Sequence, residues 1–508
     1  MKVLLVAPPR KYWPFVSEQD NFLVPQALPY LGAILRDNGF EVRLLDCMPL
    51  KIGWKSLSKI ITEYEPDIIG VGENHALYAN EALKTCDLAK QINPRTICIV
   101  GGTHFSSLLE ETLQNEAIDF IVRGEGEYTL LELVKRISSS NKNFEDIKGI
   151  AYKQNNKKII TSSRPLIDNL DELPFPAYDL LPMEKYGSSR FLYSPGGTTI
   201  HHSRGCVSKC KFCAWWLQMA DEEIKNGEKI LKPRWRTKSV DNTINEIEVL
   251  YKKYNKRCLV FVDASWNINA DWNNEFSEKL IKRKFDLNWF AFLRLDYLLR
   301  DMKNGIFDKM VKAGLSHTCI GVERYENKWL SQSEKNFYSE SKARECMEIL
   351  NKRYPRIFKQ VTFIVGVREE DENSMYRQIR FAKNLKVDYP AFHPLTPVPG
   401  TRLWDEALKN DWLETKDFSN FDWATPVMPS KFLSRQEISE LIYQANREFV
   451  GFKWFIKGIL SKGKYKRNMY IWWFLVVVRL FFDAIFNLLN PFRVKAYSNL
   501  RKPKWYDS

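Results

Sequence analysis

The chain has 508 residues, too many for one ordinary hydrophobic core, and this length indicates about three domains. With 44% hydrophobic and 27% charged residues, its composition excludes a disordered or fibrous protein. The formal net charge is +14, but most of it lies at the end of the chain, where residues 451–508 carry twelve Lys or Arg against two Asp. Because the body of the chain is nearly neutral, this distribution of charge argues against a nucleic-acid partner.

The first residues and the cysteines both predict a cytoplasmic protein. Met1 and Lys2 precede an apolar run, residues 3–7, that is too short for the hydrophobic region of a secretory signal. The nine cysteines are an odd number scattered along the chain, which favours reduced thiols over a disulfide framework.

Residues 1–145 are predicted to form a doubly wound, Rossmann-like α/β domain. Short β-rich apolar runs alternate there with helical stretches, which is typical of an open parallel sheet. The predicted strands cover residues 3–7, 41–45, 68–71, 97–100 and 120–122, and the clearest helices cover residues 28–38, 78–91 and 108–115.

Three glycine-bearing loops follow the third, fourth and fifth predicted strands. Ligands of such sheets bind at the carboxyl ends of the strands, where glycine permits close approach of the backbone. No Gly-x-Gly-x-x-Gly run opens the first helix, which disfavours a dinucleotide, although the fold alone is compatible with another nucleotide or with no ligand. The candidate binding residues in these loops are Asn74, His75, Gly101, Gly102, Thr103, His104, Gly124, Glu125, Gly126 and Glu127.

The next two segments are a predicted hairpin with a linker, residues 146–195, and a predicted partial (β/α)6 barrel, residues 196–405. The first is rich in proline and turn residues and indicates a domain boundary. In the second, helical stretches such as residues 240–254 and 340–353 separate six strands, whose carboxyl ends would carry the functional groups. These strands are predicted at residues 198–201, 258–262, 289–293, 318–321, 362–366 and 391–395.

Three closely spaced cysteines, Cys206, Cys210 and Cys213, lie on the loop after the first barrel strand. Thiolates are ligands for iron-sulfur clusters or zinc. A structural zinc site would need a fourth protein ligand, and no second cysteine pair is present, although His201 or His202 could supply one. The trio therefore favours a four-iron, four-sulfur cluster with one iron left open.

The spacing Cys-x3-Cys-x2-Cys, with the aromatic Phe212 before the last cysteine, resembles the signature of the radical S-adenosylmethionine superfamily. That resemblance implies S-adenosylmethionine on the open iron and its one-electron cleavage to a 5′-deoxyadenosyl radical, with a flavodoxin or ferredoxin as electron donor. It also implies cofactor contacts from Phe212, Ala214, Asp263, Arg294, Glu323, Gly366 and Pro397.

The N-terminal domain resembles the cobalamin-binding domain fused to one branch of this superfamily. The matching runs include Val100-Gly101-Gly102-Thr103-His104 and Arg123-Gly124-Glu125-Gly126-Glu127. The resemblance implies cobalamin bound by the three loops named above. The Asp-x-His-x-x-Gly motif of many cobalamin proteins is absent after the first strand, so His75 is either an axial ligand of cobalt or a spacer that excludes water.

The resemblance implies, as the first function, cobalamin-dependent methylation of an unactivated carbon in a small-molecule or lipid-like substrate. Trp215-Trp216 and Trp235-Arg236 resemble the branch of the anaerobic magnesium-protoporphyrin ester cyclase, so oxidative ring closure or oxygen insertion on a tetrapyrrole is an alternative. A transfer-RNA methylthiotransferase is disfavoured because Cys47, Cys86 and Cys98 are too far apart to form its second cluster site. A non-enzymatic cobalamin or iron-sulfur protein is also disfavoured, because that function would not explain why one iron of the cluster has no protein ligand.

Residues 406–508 are predicted to form a helical region with a basic, aromatic tail. The apolar run from Met469 to Val478 is interrupted by Arg479 and, further on, by Asp483, which disfavours a membrane-spanning helix. Peripheral contact of residues 451–508 with an anionic membrane, on the inner face of the cell membrane, and simple packing on the barrel are both open.

Overall fold

The structure is a computed structural model that describes residues 1–12, 22–187, 196–225, 228–488 and 500–508. Part of the predicted linker, residues 188–195, and part of the predicted tail, residues 489–499, lie outside the described residues.

The first domain is built on a seven-stranded sheet with the order β2-β1-β3-β4-β5-β6-β7. The predicted strands are all present, with ends displaced by at most one residue. The elements are β1 (Lys2–Ala7), α1 (Ala27–Asp37), β2 (Glu41–Asp46), α2 (Cys47–Leu50), α3 (Trp54–Tyr64), β3 (Ile68–Gly72), α4 (Ala79–Ile92), β4 (Ile97–Gly101), α5 (Thr103–Ser107), α6 (Leu109–Thr112), β5 (Phe120–Val122), α7 (Gly126–Ser138), β6 (Ile150–Gln154) and β7 (Lys157–Ile160).

Strands β1 to β5 are parallel and, apart from the first half of the edge strand β2, largely buried on both faces, which confirms the doubly wound fold. Along β1, Val3 and Leu5 belong to one hydrophobic cluster and Leu4 and Val6 to another, because successive side chains of a strand point to opposite faces. The strand order reverses between β1 and β3, so a crevice for ligands is expected at their carboxyl ends.

Two local predictions differ from the structure. The helix predicted over residues 108–115 is replaced by the short helices α5 and α6, because Leu108 between them has the non-helical angles φ −120° and ψ 52°. The predicted hairpin is present as β6 and β7, but β6 pairs antiparallel with β5, Phe120 opposite Tyr152, so the first sheet continues beyond residue 145.

The segment after the hairpin is packed between the domains rather than exposed as a simple linker. Tyr178 and Tyr186 are almost fully buried in a cluster shared by the first sheet and the barrel. Their hydroxyls donate to Glu246 at 2.6 Å and to Asp46 at 2.9 Å. Burying two tyrosines with paired hydroxyls joins the two domains through a common core.

The second domain is an open barrel whose six parallel strands have the order β17-β16-β15-β14-β13-β8. All six predicted strands are present, with ends displaced by at most four residues. The elements are β8 (Gly197–Ile200), β9 (Ser203–Gly205), β10 (Ala220–Lys225), β11 (Glu228–Pro233), β12 (Trp235–Thr237), α8 (Val240–Lys252), β13 (Cys258–Phe261), α9 (Ala270–Arg283), β14 (Asn288–Leu293), α10 (Leu295–Lys303), α11 (Ile306–Lys312), β15 (Leu315–Glu323), α12 (Asn327–Gln332), α13 (Glu340–Arg353), β16 (Phe358–Val365), α14 (Glu372–Asn384) and β17 (Tyr389–Pro394).

After the barrel, the described residues form the α-helices α15 (Arg402–Lys409), α16 (Arg435–Phe449), α17 (Phe452–Ile459) and α18 (Lys464–Leu488). The final described segment, residues 500–508, returns to the first domain, where Trp54 N donates to Tyr506 O at 3.0 Å. Over the described part of the chain, no helix has the length and hydrophobicity needed to cross a membrane.

Candidate active site

The three predicted cluster cysteines lie on one compact loop after β9. Cys210 is buried, whereas Cys206 and Cys213 are half-buried. Ser208 N donates to the Cys206 sulfur at 3.4 Å, and Cys213 N donates to Cys210 O at 3.2 Å. Burial, together with the neighbouring Cys210 and Cys206, raises the pKa of Cys213 to about 12. The three thiols are therefore close enough to interact electrostatically. Their thiolate forms need nearby positive charge, such as that of bound iron.

Two cationic side chains stand beside these thiols. Burial raises the pKa of Cys210, while Lys335 and Arg294 act in the opposite direction through their positive charge. Among the described residues, no three His, Cys, Asp or Glu side chains could hold a single metal ion. In a four-iron cluster each thiolate binds a different iron, so three soft thiolates beside two cations fit that group without converging on one point.

Three residues predicted to contact S-adenosylmethionine lie in or beside the cysteine loop: Phe212 and Ala214 are part of it, and Arg294 contacts it. The Arg294 guanidinium donates to the Ser208 hydroxyl and to Asp296 at 2.8 Å, and it lies 3.6 Å from the centre of the Phe337 ring. The Phe212 ring stacks on Trp329 with 5.7 Å between centroids. Arg294 thus links the end of β14 to the loop that carries the cysteines.

Two other predicted contacts, Asp263 and Glu323, are engaged within the protein. Asp263 Oδ1 accepts from the Ser203 amide and hydroxyl, both at 2.6 Å, so it braces the strand that leads into the cysteine loop. Glu323 pairs with Lys335 at 2.6 Å and has the left-handed φ of +64°. Both carboxylates hold neighbouring elements in place, and their contact with S-adenosylmethionine stays a prediction.

The last two predicted contacts, Gly366 and Pro397, follow the final barrel strands. Gly366 has a φ of +68°, and its N–H donates to Glu370, so the turn after β16 favours glycine. Pro397 is buried after β17. Both are at the carboxyl end of the barrel, and their contact with S-adenosylmethionine stays a prediction.

A small cavity of about 20 Å³ between the domains is lined by predicted residues from both. Asn74, His75 and Thr103 line it from the first domain, and Ala214 lines it from the cysteine loop. The His75 ring contacts Trp215 edge-on with 5.6 Å between centroids. Burial and the charge of Arg10 lower the pKa of His75 to about 4, so the imidazole is neutral at physiological pH. The other lining residues are Ala76, Trp215, Val398, Phe421 and Trp423.

A second cavity of about 360 Å³ shares Thr103 with the first. Its wall includes Gly124 and two buried polar atoms, Ser106 Oγ and Gln218 Nε2, that have no hydrogen-bond partner among the described residues. Buried polar groups are normally paired, so these atoms are available to a ligand with many amide groups such as cobalamin. The residues present fit that cofactor.

Three of the other predicted cobalamin residues, Gly101, Gly102 and Gly126, lie at or after the carboxyl ends of β4 and β5. We call this edge of the first sheet the rim. His104 is not among the residues that line either cavity, because its ring packs on Phe418, 4.7 Å between centroids. At Gly101, an added Cβ would lie 3.1 Å from the Val122 carbonyl oxygen, so β4 and β5 approach closely.

Replacing Gly102 by alanine is expected to disrupt this rim. Gly102 has a φ of +94°, and a Cβ there would lie 2.4 Å from the Glu73 carbonyl oxygen. Strain of this kind costs about 1–3 kcal/mol before any clash is counted. We expect Gly102→Ala to lower the denaturation midpoint and to weaken cobalamin binding measured by equilibrium dialysis. Gly72→Ala is the matched control, because nothing lies within 4 Å of its added Cβ, and equal losses in both variants would contradict this role for Gly102.

The carboxylates of Glu125 and Glu127, whose contact with cobalamin stays a prediction, connect the first domain to the barrel. Arg204 donates to Glu125 at 2.9 Å and to Glu127 at 2.6 Å, and Arg236 donates to Glu125 at 2.8 Å. All four side chains are at most 9% exposed. Burial would raise the pKa of Glu125, but Arg204 and Arg236 outweigh it and lower that pKa. We call these four residues the interdomain ion network.

Comparison with known proteins identifies the family. The B12 binding domain model matches residues 13–134, and the Radical SAM superfamily model matches residues 200–382. An uncharacterised methyltransferase of Pyrococcus horikoshii is 31% identical over 88% of this chain and 92% of its own length. The chain belongs to the cobalamin-binding branch of the radical S-adenosylmethionine enzymes. As a member, it uses a four-iron, four-sulfur cluster, S-adenosylmethionine and cobalamin, as predicted.

Two further members of this family are informative. The anaerobic magnesium-protoporphyrin IX monomethyl ester cyclase of Rubrivivax gelatinosus is 28% identical over 92% of this chain and 80% of its own length. The cobalamin-dependent S-adenosylmethionine radical enzyme OxsB, solved with aqua-cobalamin and S-adenosylmethionine bound, has 17% identity and a TM-score of 0.70 over 97% of this chain and 73% of its own. The latter likeness extends the shared fold to nearly the whole chain.

Several residues of this radical S-adenosylmethionine site were missed from the sequence. Lys335 lies beside the cysteines, and Phe421 and Trp423 reach the first cavity from the segment after the barrel. No motif or periodicity marks them. Arg204 is only two positions before Cys206, but its spacing gives no sign that it pairs across the domain boundary.

The buried His104 predicts acid sensitivity in this enzyme. Burial lowers the pKa of His104 to about 4, below the 6.5 of an unfolded histidine. As pH falls, the unfolded chain therefore takes up the proton before the folded protein does. This difference lowers the free energy of unfolding by at most about 3 kcal/mol between pH 6.5 and pH 4. We expect His104→Asn to show a shallower fall of unfolding free energy with decreasing pH in denaturant titrations. An unchanged slope would contradict this.

Proposed function

We propose that this enzyme methylates an unactivated carbon of a small, lipid-like substrate that binds between the two domains. The observation that carries the proposal is that Ala214 and Trp215 of the cysteine loop meet Asn74, His75 and Thr103 of the cobalamin-binding domain around the small interdomain cavity, whose walls must separate to admit a substrate. A substrate there would lie between the two cofactor-binding regions, as transfer of a methyl group to a substrate radical requires.

The residues of this chain have defined tasks in the proposal. When bound, the cluster and S-adenosylmethionine supply a hydrogen-abstracting radical, and cobalamin supplies the methyl group. Trp215, Phe421 and Trp423 give the substrate an aromatic, apolar environment and exclude water. His75, neutral because of burial and Arg10, faces the same cavity without adding a charge. A flavodoxin or ferredoxin supplies the electron.

Two features favour methylation of a lipid-like compound. The Pyrococcus horikoshii relative, which matches nearly end to end, is named a methyltransferase. The lining contributed by Ala76, Val398 and the three aromatic residues is mostly hydrocarbon, which suits an apolar substrate better than a charged one.

The test follows the methyl group of labelled S-adenosylmethionine in the anaerobically reconstituted enzyme, given reductant and a lipid extract of the source cells. Each methylation consumes two molecules of S-adenosylmethionine, one yielding methionine and 5′-deoxyadenosine and the other yielding S-adenosylhomocysteine. We expect labelled lipid and S-adenosylhomocysteine in equal amounts. Formation of 5′-deoxyadenosine without any S-adenosylhomocysteine would refute methyl transfer.

A second candidate, oxidative ring closure or oxygen insertion on a tetrapyrrole, is favoured by one observation. The Rubrivivax gelatinosus cyclase matches 92% of this chain, including the region of the interdomain cavity. In that case the same assay with magnesium-protoporphyrin ester would consume the tetrapyrrole and transfer no label from the methyl group.

A further inference from the structure

One face of helix α18 packs beneath the barrel. Trp473 stacks on Tyr389 of β17 with 3.8 Å between centroids. Residues at helical spacing along this face are buried against side chains of the barrel strands. The described side chains of α18 that are buried are those of Tyr465, Lys466, Met469, Tyr470, Trp472, Trp473 and Val476.

A buried polar cluster fixes this face. Asp388, the residue before β17, accepts from Lys466 at 2.8 Å and from the Tyr470 hydroxyl at 2.7 Å. The indole of Trp454 in α17 donates to the Asp388 carbonyl at 2.7 Å. Both helices of the α17–α18 hairpin are therefore fixed to the barrel, and their outward faces have a defined orientation.

The outward faces of α17 and α18 are also apolar. Phe452 of α17 is 70% exposed, Leu460 directly after α17 is 76% exposed, and Leu475 of α18 is 55% exposed. Ile456 lies between the first two, and Ile471 lies one turn before Leu475, so each helix carries a stripe at four-residue spacing. The Phe455 and Phe474 rings stack at 4.0 Å and join the stripes. We call Phe452, Ile456, Leu460, Ile471 and Leu475 the apolar ridge.

Lysines flank the apolar ridge. Lys453 and Lys457 each follow a ridge residue on α17, Lys462 lies in the connection between the two helices, and Lys464 is the first residue of α18. All four are exposed, and within the described residues none of them forms a salt bridge. Residues 451–467, which carry the α17 half of the ridge and the start of α18, contain six Lys or Arg and no Asp or Glu, so the surroundings of the ridge are positive.

We propose that the apolar ridge inserts into the headgroup region of an anionic lipid bilayer and holds the enzyme at the membrane surface. Phe and Leu on one side with lysines beside them are typical of an interfacial element, in which apolar insertion and attraction to anionic lipids act together. Protein–protein interfaces, in contrast, are depleted in lysine. A second copy of the chain would also place the two positive surfaces against each other. The inference is independent of the proposed reaction.

The test measures co-sedimentation of the full-length protein with vesicles. We expect binding to phosphatidylglycerol-containing vesicles and little to pure phosphatidylcholine. At about 1 kcal/mol per basic residue, Lys453→Gln with Lys457→Gln should weaken that binding about 30-fold. Leu460→Glu with Leu475→Glu should abolish it.

Two matched controls separate the ridge from general effects of charge and hydrophobicity. Lys55→Gln with Lys59→Gln changes two exposed lysines at the same spacing on α3, and Phe432→Glu changes a residue that is 66% exposed outside the ridge. Both should bind like the unchanged protein. An unaltered denaturation midpoint verifies that each variant is folded.

Three results would overturn the proposal. The first is no binding to anionic vesicles, and the second is equal binding to both vesicle types. The third is a concentration-dependent dimer in light scattering that Leu460→Glu with Leu475→Glu dissociates, because the ridge would then bind a second copy. None of these results bears on S-adenosylmethionine cleavage, so failure here is distinguishable from failure of the proposed function.

Discussion

Cys210→Ala is expected to abolish cluster binding and, with it, cleavage of S-adenosylmethionine. Cys210 is the most buried of the three thiols, and its carbonyl accepts from both Cys213 N and the Trp216 indole, so the substitution removes a ligand without removing the turn. Two remaining thiolates leave one more iron without a protein ligand. We expect bound iron after anaerobic reconstitution to fall to background.

The matched control for this variant is Cys346→Ala. Cys346 is also a buried, free cysteine, but it lies in helix α13 within the hydrophobic core. Its removal deletes one buried sulfur and should leave iron content and the cluster absorption spectrum unchanged. Full iron content in Cys210→Ala, or equal losses in both variants, would contradict the assignment of the cluster to the loop.

Arg204→Met is expected to uncouple the two domains. It leaves Glu127 buried without its cation and removes one of the two cations of Glu125. Breaking a buried pair by removing one partner typically costs about 3–5 kcal/mol. The cysteine loop begins two residues later, and a displacement of about 1 Å at an active site lowers turnover about 100-fold. We expect a lower denaturation midpoint and slower S-adenosylmethionine cleavage.

A surface arginine provides the control for this effect. Arg344 pairs with Glu340 at 2.6 Å on helix α13, and its side chain is 47% exposed. Exposed pairs contribute at most about 1 kcal/mol, so Arg344→Met should leave both quantities nearly unchanged. If Arg204→Met behaves like Arg344→Met, the interdomain ion network has no part in holding the cysteine loop.

The sheets and the cluster loop were predictable because their signals are local. Strands such as β1 and β3 are short apolar runs bounded by polar or glycine residues, and their ends were placed within one residue. The three cysteines were found because their spacing alone places three thiols on one loop. The order of the two domains then indicated cobalamin, which the family models support.

The roles of Glu125, Asp263 and helix α18 were not predictable, because each depends on a partner far along the chain. Glu125 pairs with Arg204 and Arg236, and nothing in its own loop indicates that its carboxylate is directed to the barrel. For residues 451–508, the sequence was compatible both with packing on the barrel and with contact with a membrane. Helix α18 is apolar on both faces, so packing uses one of them and leaves the other exposed.

The most direct test of the central claim is an assay for 5′-deoxyadenosine. The protein is reconstituted anaerobically with iron, sulfide and cobalamin, and then receives reductant and S-adenosylmethionine. A radical S-adenosylmethionine enzyme with its cluster on Cys206, Cys210 and Cys213 will form 5′-deoxyadenosine and methionine, and the Cys210→Ala protein will form neither. Absence of 5′-deoxyadenosine from protein that carries an intact, reduced cluster would contradict the account.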